Sequence, residues 1–478
     1  MDTLLEQKII DKFKKDCSLF SSDNEYRKDL ALALGLNKEE YFLLRPIIGE
    51  NELKSIVENL NEKNFMPGER LDLTKVDSHN DKYLKTGEFK ANLHIHTLHS
   101  DGRLTIKDYL NQAKKLADEN YQKNNADMPL VLALTDHDCI DGAKEIAIEL
   151  AKNPTDYNNL RLVLGVELST ITNQFRHLKK PLLIHTHMFC INPFDSELNK
   201  FIDTKRNLKY KLATETIDKL NNRLHPILER FKIKLTLEEA ALIHELVTKG
   251  QDEIYLPMKK YVGGKLLFEN YVRNNKDIIK ILQTNNICID DLSYEHPYTK
   301  YKYMFKQGGG YSENYKLALN VYMKNLIKEK NGADVDLTAI INIKDEHVED
   351  AIKQALEISK EAHPSLTQMP DAFDGFEDTL QLLSTLDFGV FSIAHPGRTV
   401  VKDADTDLYS LFENMFESFK QKANNKAVYY EGYYQSYSGE NYKNYLDPIN
   451  NAAKKLNLIP LGGLDSHGES ISCRGGNP

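Results

Sequence analysis

The chain has 478 residues, 41% hydrophobic and 28% charged, with 25 Tyr, 19 Phe and no Trp, enough for a large core with additions. The mean hydropathy of −0.51 fits an ordinary soluble protein rather than a disordered one. A net charge of −9 excludes a binder that works through an overall basic surface, and it leaves room for a local basic pocket holding one phosphate.

The amino terminus, "MDTLLEQKIIDKFKKDCSLF", is charged throughout and lacks the apolar core of a secretory signal. No apolar run approaches the roughly 18 residues of a membrane span, so a cytoplasmic protein without a membrane partner is expected. The five cysteines, Cys17, Cys139, Cys190, Cys288 and Cys473, are scattered and never form CxxC, which points away from a disulfide framework and from a thiolate zinc site.

Residues 1–88 carry apolar positions at helical spacing, as in "LLEQKIIDKFKKD", and are read as a helical extension. From 89 to 195 short apolar runs alternate with helical segments: "ANLHIHT", "TIKDYLNQAKKLADENY", "PLVLALTDHD", "DGAKEIAIELAKN", "LRLVLGVELST", "KPLLIHTHMFCI". Such alternation is the signature of a parallel α/β arrangement. Residues 196–375 read as a mainly helical insertion with a glycine cluster at Gly308, Gly309 and Gly310, and the α/β texture returns over 376–478.

The chemistry gathers at the strand ends. In a strand, residues i and i+2 share a face, so His94 and His96 in "NLHIHT" can both address one ion. Asp101 follows in "HSDG", while His99 is assigned to the loop. The second strand ends in Asp136, His137 and Asp138; helix capping would explain the aspartates ahead of "GAKEIAIEL" but not the histidine. Glu167 ends the third run, where a carboxylate is costly unless it meets a cation or solvent. The fourth run offers His185 and His187, which periodicity does not separate. "VFSIAHPGR" delivers His395, and "LIPLGGLDSHG" delivers Asp465 and His467. Six predicted strands thus end in a histidine or carboxylate, and at least six of 15 histidines sit at these junctions. In parallel α/β folds those ends meet at one face, where active sites lie. Imidazole and carboxylate donors suit zinc, manganese or iron, and so many imply two or three ions.

In this order, "HIHTLHSDG", "LTDHDCIDG", "GVELST", "LLIHTHMF", "IAHPGR" and "GGLDSHG" resemble the motifs of the PHP (polymerase and histidinol phosphatase) superfamily of metal-dependent phosphoesterases. The resemblance is nearest to the bacterial branch of nucleoside 3',5'-bisphosphate phosphatases, also described as 5'-to-3' exoribonucleases. It covers about 91–192 and 377–470, and "AVYYEGYYQSYSGENY" looks like that branch as well. It implies an α/β fold, a distorted (β/α)7 barrel with a cluster of two or three divalent ions (Mn, Zn or Fe). It also implies a phosphorylated small molecule or short oligonucleotide as substrate.

Carried over by position, His94, His96, Glu167 and Asp465 would hold a first ion. Glu167 would bridge to a second, with His187 and His395, and Asp101, His137 and His467 would hold a third. His187 is preferred because the family histidine precedes a short apolar step like "MFC"; His185 is the alternative. Arg398, after "HPG", is the candidate phosphate clamp, since a guanidinium binds two phosphate oxygens at once, with Lys402 a weaker candidate. Leu464 stands where the family has a small residue, and the insertion is longer than usual. Competing readings are a histidinol-phosphate-type phosphatase and a non-catalytic metal-binding interaction module. An amidohydrolase is a further one, but it expects a bridging lysine where this chain has Glu167.

Overall fold

The computed structural model describes residues 50–55, 91–124, 130–152, 156–157, 159–172, 182–236, 255–293, 311–335, 337, 346–362, 375–398, 407–434, 443–468 and 471. Of the extension expected over 1–88, residues 50–55 are helical. The rest lies outside the described residues, as do the glycine cluster at 308–310 and Lys402. No helix among the described residues is long and apolar enough to cross a membrane.

Contacts divide the chain into two compact units, one drawn from Met1–Arg206 and Met369–Gly475, the other from Asn207–Gln368. The first unit is built on β1 (Ala91–Asn92), α1 (Ile106–Asn124), β2 (Leu130–Leu134), α2 (Asp141–Lys152), β3 (Leu160–Thr172) and β4 (Leu182–Phe189). After α3 (Ser196–Arg223) and the segment forming the second unit, it resumes with α9 (Phe376–Leu383), β5 (Val390–Ile393), α10 (Leu408–Lys422), β6 (Ala427–Tyr434), α11 (Lys443–Lys455) and β7 (Ile459–Gly463).

The strands form one mixed sheet in the order β1 to β7. Its edges approach each other through a parallel bridge between Ile95 and Ser466, with Leu93 N–H donating to the Gly462 carbonyl and His96 N–H to that of Ser466. The sheet is thereby nearly closed into a barrel. Strand β2, "LVLAL", is buried at every position, as a strand covered on both faces must be. Helix α1 turns Ile106, Tyr109, Leu110, Ala113 and Ala117 inward at helical spacing. Helix α10 does the same with Leu411, Phe412, Met415, Phe416 and Phe419, and the Asp407 carboxylate caps it by accepting from Tyr409 N–H.

One expectation is corrected here: the strands are not all parallel. β4 runs antiparallel to both β3 and β5, while β1–β2, β2–β3, β5–β6 and β6–β7 are parallel. The physical reason is connection length. Only residues 173–181 separate β3 from β4, too few for a parallel crossover, which needs about a dozen residues or more. β4 therefore starts at the end of the barrel where its neighbours finish.

The second unit is helical, with α4 (His225–Arg230), α5 (Tyr255–Phe268), α6 (Lys276–Thr284), α7 (Tyr311–Asn331) and α8 (Glu346–Ala362). Its core includes Leu220, Leu224, Tyr261, Leu266, Leu319, Met323 and Ile352.

Candidate metal centre

The side chains at the strand ends project into the barrel mouth because backbone bonds fix the segments that carry them. Asn92 ties β1 to the end of the chain, donating to the Ile471 carbonyl at 2.8 Å and accepting from Leu464 N–H at 3.0 Å. The alternation that follows turns His94 and His96 inward, both fully buried. Asp136 accepts from Thr97 N–H at 2.7 Å, Thr97 Oγ1 at 2.8 Å and Ser100 Oγ at 2.6 Å, so it anchors the loop that carries Asp101. Asp138 accepts from Ser169 N–H and pairs with the buried Lys205 ammonium at 2.9 Å. The two aspartates that flank His137 in sequence thus anchor its segment from either side.

Glu167 is the hub. Its Oε1 lies 3.0 Å from both His185 Nδ1 and His395 Nε2. Its Oε2 lies 3.0 Å from His94 Nε2, 3.3 Å from His96 Nε2 and 3.2 Å from His137 Nδ1. Asp465 Oδ1 stands 3.4 Å from Nε2 of His94 and of His96. On the open side, Asp101 Oδ1 is 3.1 Å from His467 Nε2, 3.8 Å from His96 Nδ1 and 3.9 Å from His137 Nε2. Four donor groups could each hold an ion: His96, Asp101, His137 and His467; His94, His96 and Asp465; His94, Glu167 and His395; His137, Glu167 and His185.

His187 belongs to none of these groups, whereas its alternative, His185, belongs to one. His187 pairs with Glu167 in the strand register, yet its ring stands edge-on to His94 at 4.2 Å between centroids and 5.1 Å from Phe189. Because β4 is reversed, the earlier histidine is the one nearer the mouth, and His185 takes the place beside Glu167. His99 stays outside, donating from Nε2 to the Glu145 carboxylate at 2.9 Å. It also neighbours Cys139 and Asp141, but the Arg206 guanidinium already sits on both, 3.4 Å from Sγ and 2.7 Å from Oδ2. Burial, with Asp141 and Asp136 nearby, pushes the Cys139 thiol up to about 12.

Burial opposes ionisation of Glu167, Asp101 and Asp465, yet the surrounding imidazoles hold all three well below the usual carboxylate range. Burial likewise opposes the charged forms of His94 and His96, but Glu167, Glu431 and Asp465 lift His94 well above its ordinary value, and Asp465 and Glu167 lift His96 to about 10. Burial wins at His137, pushed down to about 3, and at His187 and His395, which are also lowered.

The donor set fits divalent ions. His96 Nε2, His137 Nδ1, His185 Nε2 and Asp101 Oδ1 are buried without a hydrogen bond, and native structures seldom leave such atoms unmatched. Lone pairs from imidazole and carboxylate converging at these separations are what zinc, manganese or iron coordinate.

Backbone strain sits in the same place. Asp138, His395 and Asp465 have φ of 44°, 24° and 50°, in the left-handed region that non-glycine residues avoid.

Arg398, half-exposed, donates from Nη1 to Asp465 Oδ2 at 3.0 Å, at the edge of the cluster. Sequence reasoning passed over Glu431, a fully buried carboxylate whose Oε1 is 3.0 Å from His94 Nδ1. The signal was available: a lone carboxylate inside the apolar run "AVYYEGYY" is the same anomaly that singled out Glu167.

No family model matches the chain, and no curated protein matches it. Among solved structures, a protein from Bifidobacterium adolescentis, provisionally assigned as a metal-dependent phosphoesterase, is 13% identical, with 79% of this chain and 88% of that one covered and a TM-score of 0.38. An amidohydrolase from Chromobacterium violaceum, with bound sulfate and no metal, is 17% identical over 81% of this chain and 94% of that one, also at 0.38. At that score neither likeness bears on the function of this chain.

Proposed function

We propose that the chain is a divalent-metal-dependent phosphoesterase of the PHP type, acting on a nucleotide or short oligonucleotide such as a 3',5'-bisphosphonucleotide. The observation that carries this reading is the division of Glu167. One oxygen faces His185 and His395, and the other faces His94, His96 and His137, so that Glu167 would serve donor sets on both sides.

In this reading His94, His96, Glu167 and Asp465 hold one ion. Glu167, His185 and His395 hold a second, and Asp101, His137 and His467 a third. Bound divalent ions would supply Lewis acidity, activating water near neutral pH and polarising the phosphoryl oxygens. The chain's own residues position that charge. Asp136 and Asp138 fix His137, Arg398 steadies Asp465, and the Arg398 guanidinium would share an incoming phosphate. Binding energy at the phosphate would hold the ester in line for displacement. No side chain is assigned as general acid.

The test is a screen of 3',5'-bisphosphonucleotides, short 5'-phosphorylated RNA and histidinol phosphate with Mn²⁺ or Zn²⁺, alongside a metal count. Wild type should bind at least two ions and turn over a phosphate ester, and His94→Ala should not. Fewer than two ions with no turnover of any substrate would overturn the proposal.

A further inference from the structure

Glu431 lies in mid-strand on β6, fully buried, where an isolated carboxylate is expensive. Both of its oxygens are engaged. Oε1 and Oε2 lie 3.0 Å and 3.3 Å from His94 Nδ1, and Oε2 also accepts the His395 backbone N–H at 2.7 Å. Gly463 on β7 makes the seat possible, since a Cβ there would overlap Glu431 Oε1 and crowd the His94 Cβ.

Two carboxylate oxygens face His94 Nδ1, so that nitrogen is the one set to donate. His94 Nε2 is then left to point at Glu167 Oε2 and Asp465 Oδ1. We infer that Glu431 is a positioning residue for the metal centre: it fixes the His94 tautomer with Nε2 inward and holds the backbone of His395 with the same carboxylate. The inference rests on the metal-binding part of the proposed function. Partners of this kind behind a ligating histidine raise its basicity and lock its ring.

Metal-free wild type, Glu431→Gln and His94→Ala should be titrated with Mn²⁺ by calorimetry. In Glu431→Gln one amide group must replace an acceptor facing a donor, so affinity should fall roughly 10–100-fold, with secondary structure by circular dichroism unchanged. If Glu431→Gln binds as tightly as wild type while His94→Ala does not, the inference falls and the metal reading stands. If wild type takes up no ion, both fall. Should Glu431→Gln fail to fold, a crystal structure of Mn²⁺-loaded wild type decides. His94 ligating through Nε2 with Nδ1 on Glu431 supports the inference, and ligation through Nδ1 overturns it.

Discussion

In the unit formed by Asn207–Gln368, the interior is filled by Leu220, Leu224, Leu266, Leu319, Met323 and their neighbours. Among its described residues, buried polar groups such as Tyr261 and Lys316 are locally settled. The Tyr261 hydroxyl accepts from Thr236 N–H and donates to its carbonyl, and the Lys316 ammonium lies over the Tyr271 ring while reaching Glu349. The barrel mouth is the reverse. His94, His96, His187, Glu167 and Glu431 are all fully buried, and charges of both signs touch. Well-packed apolar residues of similar volume commonly match or exceed buried ion networks in stability. The apolar unit therefore has the composition that folding favours, and the barrel mouth has a composition that only its chemistry explains.

The sharpest break in this contrast comes from Glu167→Gln. Removing the hub leaves buried imidazoles uncompensated, and urea denaturation of the metal-free protein should register a loss of roughly 3–5 kcal/mol. Leu319→Ala, a cavity in the other unit, should cost about 3 kcal/mol in the same assay while leaving Mn²⁺ affinity unchanged. Adding Mn²⁺ at about 100 times its dissociation constant should stabilise the first unit by about 2.7 kcal/mol for each ion bound. Hydrogen exchange would then slow in β1, β3 and β7, and not in α7.

The smallest effect concerns Asp141. Burial raises its carboxyl, but Arg206 and Lys144 outweigh that and lower it. A depressed folded-state value means this stability is present above the unfolded value, roughly 3.9, and is lost as pH falls through the folded one. Arg206→Ala should therefore reduce stability at neutral pH and make acid unfolding shallower. The pair is partly exposed, so the difference should not exceed about 1 kcal/mol.

Much of this arrangement was legible in the sequence because ligand-type residues cluster where apolar runs stop, and His94, His96, Asp101, His137, Glu167, His395, Asp465 and His467 do converge. What could not be read directly was direction. A strand's period of two treats His185 and His187 alike, and only the reversal of β4 separates them. The nine residues of 173–181 held that information, through what they are too short to build. Lys205 was hidden for another reason: in sequence it is one basic residue among several on α3, and its burial depends on Asp138 and Ser169, brought to it by the barrel.

The positive φ angles at Asp138, His395 and Asp465 carry a consequence for how such a chain would change over generations. At each position glycine would relieve the backbone, and a non-glycine residue there costs on the order of 1 kcal/mol. Retention of histidine and aspartate at these points in a lineage would thus be a readable trace of continued use, and their loss an early mark of retirement.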